Sequence, residues 1–162
     1  MEPPRIVEQP EITVVGIDAR TNNRAETAGE GSIGELWARF WAEKLGERIP
    51  NRVGPDVVLA VYSDYESDEH GDYTVTIGCP VASGDSPPEG MVARTIPAAR
   101  YAVITSRQGR MPDVVVETWE RVWAASPQDL GGRRAYTADF ELHDARAGHP
   151  ANAQIDLYVA LE

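Results

Sequence analysis

The sequence predicts an α+β fold in which two tandem β-α-β-β modules share one antiparallel sheet. Three observations carry that reading. Segments with a period of two, rich in Val, Ile, Thr and Tyr, alternate with two amphipathic helical segments. The order strand, helix, strand, strand runs twice along the chain. Nothing in the pattern supplies the regular parallel crossovers of an α/β protein.

In chain order, "EITVVGIDAR" (11–20) reads as the first strand. In "GSIGELWARFWAEKLGERIP" (31–50), Ser32 and Glu35 fit the S-x-x-E capping box, and Ile33, Leu36, Trp37, Phe40, Trp41, Leu45 and Ile49 recur at spacings of three and four until Pro50. The strands "DVVLAVYSDYES" (56–67) and "YTVTIGCPV" (73–81) follow, and "ASGDSPPEG" (82–90) marks a Gly- and Pro-rich join. The second module opens with "RYAVITSRQ" (100–108). In its helix, "MPDVVVETWERVWAASP" (111–127), Pro112 suits a first turn and Asp113 complements the positive end of the dipole. Val115, Trp119, Val122 and Trp123 form that helix's stripe. The strands "AYTADFELH" (135–143) and "AQIDLYVALE" (153–162) complete the module.

The second half echoes the first. "PEITVVGIDAR" from Pro10 resembles "PAARYAVITSR" from Pro97, Trp37 and Trp41 match Trp119 and Trp123, "DYE" (64–66) matches "DFE" (139–141), and "VTIGCPV" matches "IDLYVAL". Four landmarks in one order indicate an internal duplication, with modules at about 5–82 and 91–162 within a single domain spanning 1–162. Seams between such modules are common places for ligand pockets.

A chain of 162 residues can bury roughly two-thirds of its unfolded surface. Its longest apolar runs fall far short of the roughly 20 residues of a membrane span. "MEPPRIVEQP" lacks the pattern of a secretory signal, and the single cysteine, Cys79, allows no internal disulfide, so a cytoplasmic location is expected. A formal net charge of −11 argues against direct binding to nucleic acid and suits the attraction of cations.

The β-α-β-β order, the tryptophan-bearing second helix, the strand "DFELHD" and the closing "QIDLYVALE" together resemble the GyrI-like small-molecule-binding domain, also found as the effector-binding domain of AraC-type and MerR-type multidrug regulators. The resemblance covers about Glu8 to Glu162. It implies a cleft between the modules that takes bulky, often cationic and aromatic compounds, and a pocket glutamate at Glu141. Two departures stand out: Ala160 replaces a late proline whose counterpart in the first half is Pro80, and His143 replaces a common aromatic residue. Strand-like sequence begins within about ten residues of Met1, so a free-standing binding domain without its own helix-turn-helix is expected.

Alternation in "AYTADFELH" puts Ala138, Phe140 and Leu142 on one face and Asp139, Glu141 and His143 on the other. Periodicity alone leaves Glu141 between a solvated face and a cleft; the family motif favours the cleft. Glu141 is the expected charge partner for a cation, and Trp37, Trp119, Tyr62, Tyr101, Phe140 and Trp123 are candidate walls, with Trp41 also available. Glu66, in the acidic stretch "SDYESDEHGD", is expected to be its solvated twin. No cofactor or metal is expected. Glu69 stands where a calcium loop starting at Asp64 needs glycine, and His143, Asp144 and His149 fit no standard ligand spacing. Other readings of the same cleft are a hydrolase of strained cyclopropane-type electrophiles and a protein-binding module like the family's gyrase-inhibiting member. A protein partner or a homodimer stays open.

Overall fold

The structure, a computed structural model, describes residues 3–54 and 56–162. Its strands are β1 (Arg5–Gln9), β2 (Ile12–Asn22), β3 (Val58–Ser63), β4 (Asp72–Val81), β5 (Val92–Ile96), β6 (Ala99–Thr105), β7 (Ala138–His143) and β8 (Asp156–Leu161). Its helices are α1 (Asn23–Thr27), α2 (Ile33–Ala42), α3 (Leu45–Arg48), α4 (Asp113–Ala124) and α5 (Pro127–Leu130). The α+β class and the single antiparallel sheet are as expected. The strand order is β1-β6-β8-β7-β3-β4-β2-β5, which reads the same way outward from its central β7–β3 pair.

Two strands were not expected, β1 and β5, and they explain how the halves interlock. β1 precedes β2 in sequence but pairs with β6, and β5 precedes β6 but pairs with β2. Both ladders belong to one register: Arg5 to Gln9 face Val103 to Ala99, and Ile12 to Gly16 face Ile96 to Val92. The chain therefore runs as two long strands, bent at Pro10 and at Pro97, that cross each other at the corner. Only two residues separate β1 from β2, and two separate β5 from β6. The ends of the strand order must then lie close together, so the sheet curls round. The backbones of β2 and β4 approach closely at the opposed pair Gly16 and Gly78, where a Cβ on Gly16 would meet Ile77 O at 2.0 Å.

Curling gives the sheet an inner and an outer face with separate cores. The inner cluster holds Val14, Leu59, Val61, Ile96, Tyr101, Ala138, Phe140 and Ala160, all from strands. The outer cluster packs Val15, Ile17, Tyr62, Tyr73, Val75, Ile77, Leu157 and Val159 under Leu36 and Phe40 of α2 and Trp119 and Val122 of α4.

Three local expectations need correction. The first helix stops at Ala42, because Lys44 adopts a left-handed conformation and starts the short α3. Ser32 makes no side-chain capping bond; the Glu26 carboxylate instead accepts from the backbone N–H of Ser32 at 2.7 Å and of Ile33 at 3.4 Å. β3 ends at Ser63 rather than running to Ser67, since Asp64 takes a φ of 52°.

Candidate functional site

Glu141 sits in the middle of β7, opposite Ala60 of β3 and Leu157 of β8. Alternation turns it to the outer face, where α2 and α4 lie over the sheet. Between these helices and the central strands is a cavity of about 1500 Å³. Trp37 and Trp41 enter it from α2, Trp119 and Trp123 from α4, and Tyr62, Tyr73, Glu141 and His143 from the sheet.

The Glu141 carboxylate is 1% exposed and meets three side chains. Oε2 accepts from Tyr62 Oη–H at 2.5 Å and from Trp119 Nε1–H at 2.8 Å, while Oε1 lies 2.8 Å from His143 Nε2. A buried carboxylate needs such donors, because each lost hydration contact must be replaced. Burial and the adjacent Glu141 charge hold the Tyr62 phenol well above its ordinary pKa, so it stays protonated as a donor. Tyr62 and Trp119 donate without carrying charge. Hydrogen bonds from these groups fix the carboxylate without neutralising it.

Aromatic packing repeats on both sides of Glu141. The Trp37 ring lies 4.7 Å from His143, and the Trp119 ring 4.8 Å from Tyr62, so each helix leans on a strand of the other half. Behind each stands a stacked partner, Trp41 at 6.1 Å from Trp37 and Trp123 at 6.4 Å from Trp119. The charged residues lining the cavity are mainly acidic: Glu26, Glu47, Asp56, Glu120, Glu141 and Asp144 against Lys44 and Arg52.

Of the residues named from sequence, Glu141, Trp37, Trp119, Tyr62 and Trp123 all line this cavity. Tyr101 and Phe140 do not. They lie in the inner cluster on the opposite face, with ring centroids 5.4 Å apart, because strand alternation turns Phe140 away from Glu141 and the curl of the sheet encloses that face. Sequence reasoning missed Tyr73 and understated His143. Tyr73 shares a strand face with Val75, Ile77 and Cys79, and that period would have placed it beneath the helices.

The D-[YF]-E correspondence also fails as an equivalence. When Tyr158 is laid on Gly78, as the match of Ala160 with Pro80 requires, the paired strands put Phe140 on Leu59 and Glu141 on Ala60. Glu66 is exposed beyond the end of β3. The two motifs touch instead of matching: Tyr65 Oη–H donates to Asp139 Oδ2 at 2.6 Å. Asp139 is fully buried and also accepts from Arg134 at 2.8 Å and from the Ala160 N–H at 2.7 Å, a network that ties the β3–β4 loop to the closing strand.

Comparison with known proteins agrees with this architecture. The regulator-like protein YobU of Bacillus subtilis is 33% identical over 147 residues, covering 91% of this chain and 90% of its own. The transcriptional regulator BrlR of Pseudomonas aeruginosa is 30% identical over 159 residues, and the chain spans 54% of its length. The solved integron cassette protein of Vibrio cholerae shares 27% identity, with a TM-score of 0.75 over 99% of this chain and 97% of that one. SAV2435, solved bound to tetraphenylphosphonium, has a TM-score of 0.78 at 18% identity, over 100% of this chain and 94% of its own, a likeness of fold. Residues 5–161 match the model of the Cass2 family of integron-associated effector binding proteins, and the chain belongs to that family.

Proposed function

We propose that this small-molecule-binding protein takes an amphipathic, aromatic cation in the cavity under α2 and α4, with Glu141 as charge partner and Trp37, Trp119, Tyr62 and Trp123 as walls. The observation that carries the reading is a buried carboxylate on the wall of an aromatic-lined cavity, held by the uncharged donors Tyr62 and Trp119. A lipophilic cation that lacks N–H or O–H donors needs no free lone pair. It needs a net negative charge in a low-dielectric, aromatic-walled space, where Coulomb attraction exceeds its value in water and a ring face adds roughly 0.5–2 kcal/mol. The acidic lining favours cations on approach, and a protein of the same fold has been solved with tetraphenylphosphonium.

The three contacts on Glu141 also favour binding over hydrolysis, since a carboxylate engaged by three side chains is poorly placed to activate water. The mirrored strand order supports descent of the halves, about 5–82 and 91–162, from one duplicated unit. The regulator-like relatives support a sensor whose filled cavity is read by a partner protein.

The test is calorimetric titration with tetraphenylphosphonium and its neutral analogue tetraphenylmethane, in wild type and in Glu141→Gln. Glutamine can still accept from Tyr62 and Trp119. The variant should weaken the cation at least about tenfold, or about 1.4 kcal/mol, and leave the neutral compound within about threefold. Equal losses for both would refute charge recognition.

A further inference from the structure

Glu141 divides its partners between its two oxygens. Oε2 takes Tyr62 and Trp119, whereas Oε1 faces the His143 ring, with Nε2 at 2.8 Å. His143 stands two residues farther along β7 on the same face, 8% exposed on the wall of the cavity, and Trp37 packs on its ring. To donate to Oε1, Nε2 must carry a hydrogen, so a second proton on the ring would sit on Nδ1, which has no hydrogen-bond partner among the described residues. Of the three groups on the carboxylate, the imidazole is the one that can take up a positive charge near neutral pH. An unpaired charge in low dielectric is costly, and a proton held by the neighbouring base removes that cost.

We infer that His143 sets the specificity of the site through cation–proton exchange: in the ligand-free protein the pair is carboxylate and imidazolium, and an incoming cation displaces the Nδ1 proton to solvent, one charge for one. This rests on the cation reading above and adds the regulation of that site. The cation replaces the imidazolium as partner of the carboxylate and repels a second positive charge a few ångströms away. A neutral ligand expels no proton. The groups facing the pair from the other elements leave the exchange to His143. Tyr62 on β3 and Tyr73 on β4 are phenols held above their ordinary range, Val58 opposite His143 is apolar, and Trp37 and Trp119 do not titrate. Asp144 is paired with Arg146 at 2.9 Å, and Lys44, Arg52, Glu26, Glu47, Asp56 and Glu120 also line the cavity. Carboxylates, lysine and arginine ordinarily keep one charge between about pH 6 and 8.

The probes are tetraphenylphosphonium, whose charge does not titrate, and neutral tetraphenylmethane. Calorimetric titration from about pH 5.5 to about pH 8.5, in buffers of different ionisation enthalpy, counts the protons released on binding. In wild type the affinity for tetraphenylphosphonium should rise with pH by up to about tenfold per unit, with up to about one proton released per cation, and level off once the ligand-free pair has lost its proton. Tetraphenylmethane should release none. His143→Gln keeps an N–H for Oε1 but no titrating proton, so it should flatten the pH profile and abolish the release; the count in wild type needs no variant. A wild-type affinity that is constant with pH and releases no proton, or a release that survives His143→Gln, overturns the exchange and leaves the cation reading standing. Failure of tetraphenylphosphonium to bind, or its indifference to Glu141→Gln, overturns the cation reading and this inference with it.

Discussion

The two halves of the sheet carry mirrored strands and equivalent W-x-x-x-W helices, yet where the second half places Glu141 the first places Ala60. Around that pair the symmetry returns. Trp37 packs on His143 and Trp119 on Tyr62, and the same alignment makes His143 and Tyr62 counterparts. A mirrored frame therefore builds the walls in pairs, while the buried carboxylate of Glu141 has no match in the first half. If the cavity takes a cation as proposed, the buried carboxylate of Glu141, with no counterpart at Ala60, would fix the orientation of the bound ligand.

Restoring the symmetry should have the largest effect. Ala60→Glu places a second carboxylate directly across the strand from Glu141, at a position with no exposure. Two like charges in low dielectric, with donors for only one, should cost about 3–5 kcal/mol at neutral pH. The penalty depends on ionisation, so the introduced carboxyl is held protonated in the folded state and free to ionise in the unfolded one. The variant's deficit should shrink on acidification, when both states are protonated, and grow as pH rises. Urea melts from pH 4 to pH 8 read this directly, and a deficit independent of pH would show that the two side chains do not share one environment.

The tryptophans test whether the halves are energetically as alike as they look. Trp119 is 8% exposed and donates to Glu141, whereas Trp37 is half-buried and, among the described residues, makes aromatic ring contacts with Phe40, Trp41 and His143 alone. Trp119→Ala should cost about 3–5 kcal/mol, since it leaves both a void and a carboxylate short of a donor. Trp37→Ala should cost about 1–2 kcal/mol, in proportion to its smaller burial. Equal losses in chemical denaturation would mean that the hydrogen bond adds nothing to packing.

How much of this was legible in the sequence follows from the range of the interactions. The six expected strands, the two helices and the face of Glu141 are set by local periodicity. β1 and β5 were missed because "RIVEQ" and "VARTI" are short and mix charged with apolar residues, and their partners lie in the other half of the chain. Glu26 escaped notice as the cap of α2 for a related reason: the turn after α1 folds back, which a spacing rule for adjacent residues does not see. The false match of Glu66 with Glu141 has its own cause. Sequence similarity aligned two D-[YF]-E stretches, but only the ladder register counts residues in space.

Tyr62 should give a smaller but more specific effect. Tyr62→Phe removes the shortest bond to Glu141 while keeping the ring against Trp119, and it should cost about 1.5–3 kcal/mol. Its pH signature follows from the phenol's raised folded-state pKa. Below the ordinary tyrosine value of about 10 both states are protonated and the contribution is complete. Above it the unfolded chain releases a proton that the folded one keeps, so stability falls by up to about 1.36 kcal/mol per pH unit. Phenylalanine should flatten the alkaline slope by that one-proton amount, and an unchanged slope would place the titrating group elsewhere.

Glu66→Gln should have the least effect, and that smallness discriminates. The exposed Glu66 side chain lies past the end of β3, so its loss should change stability by less than about 0.5 kcal/mol. If Glu66 and Glu141 were equivalent in the two halves, Glu66→Gln would weaken tetraphenylphosphonium as Glu141→Gln is expected to. If Ala60 is the counterpart, as the strand pairing requires, Glu66→Gln leaves cation affinity unchanged and Ala60→Glu alone alters it. The paired titrations therefore ask which residue in the first half faces the ligand, a question that the likeness of the two motifs had answered wrongly.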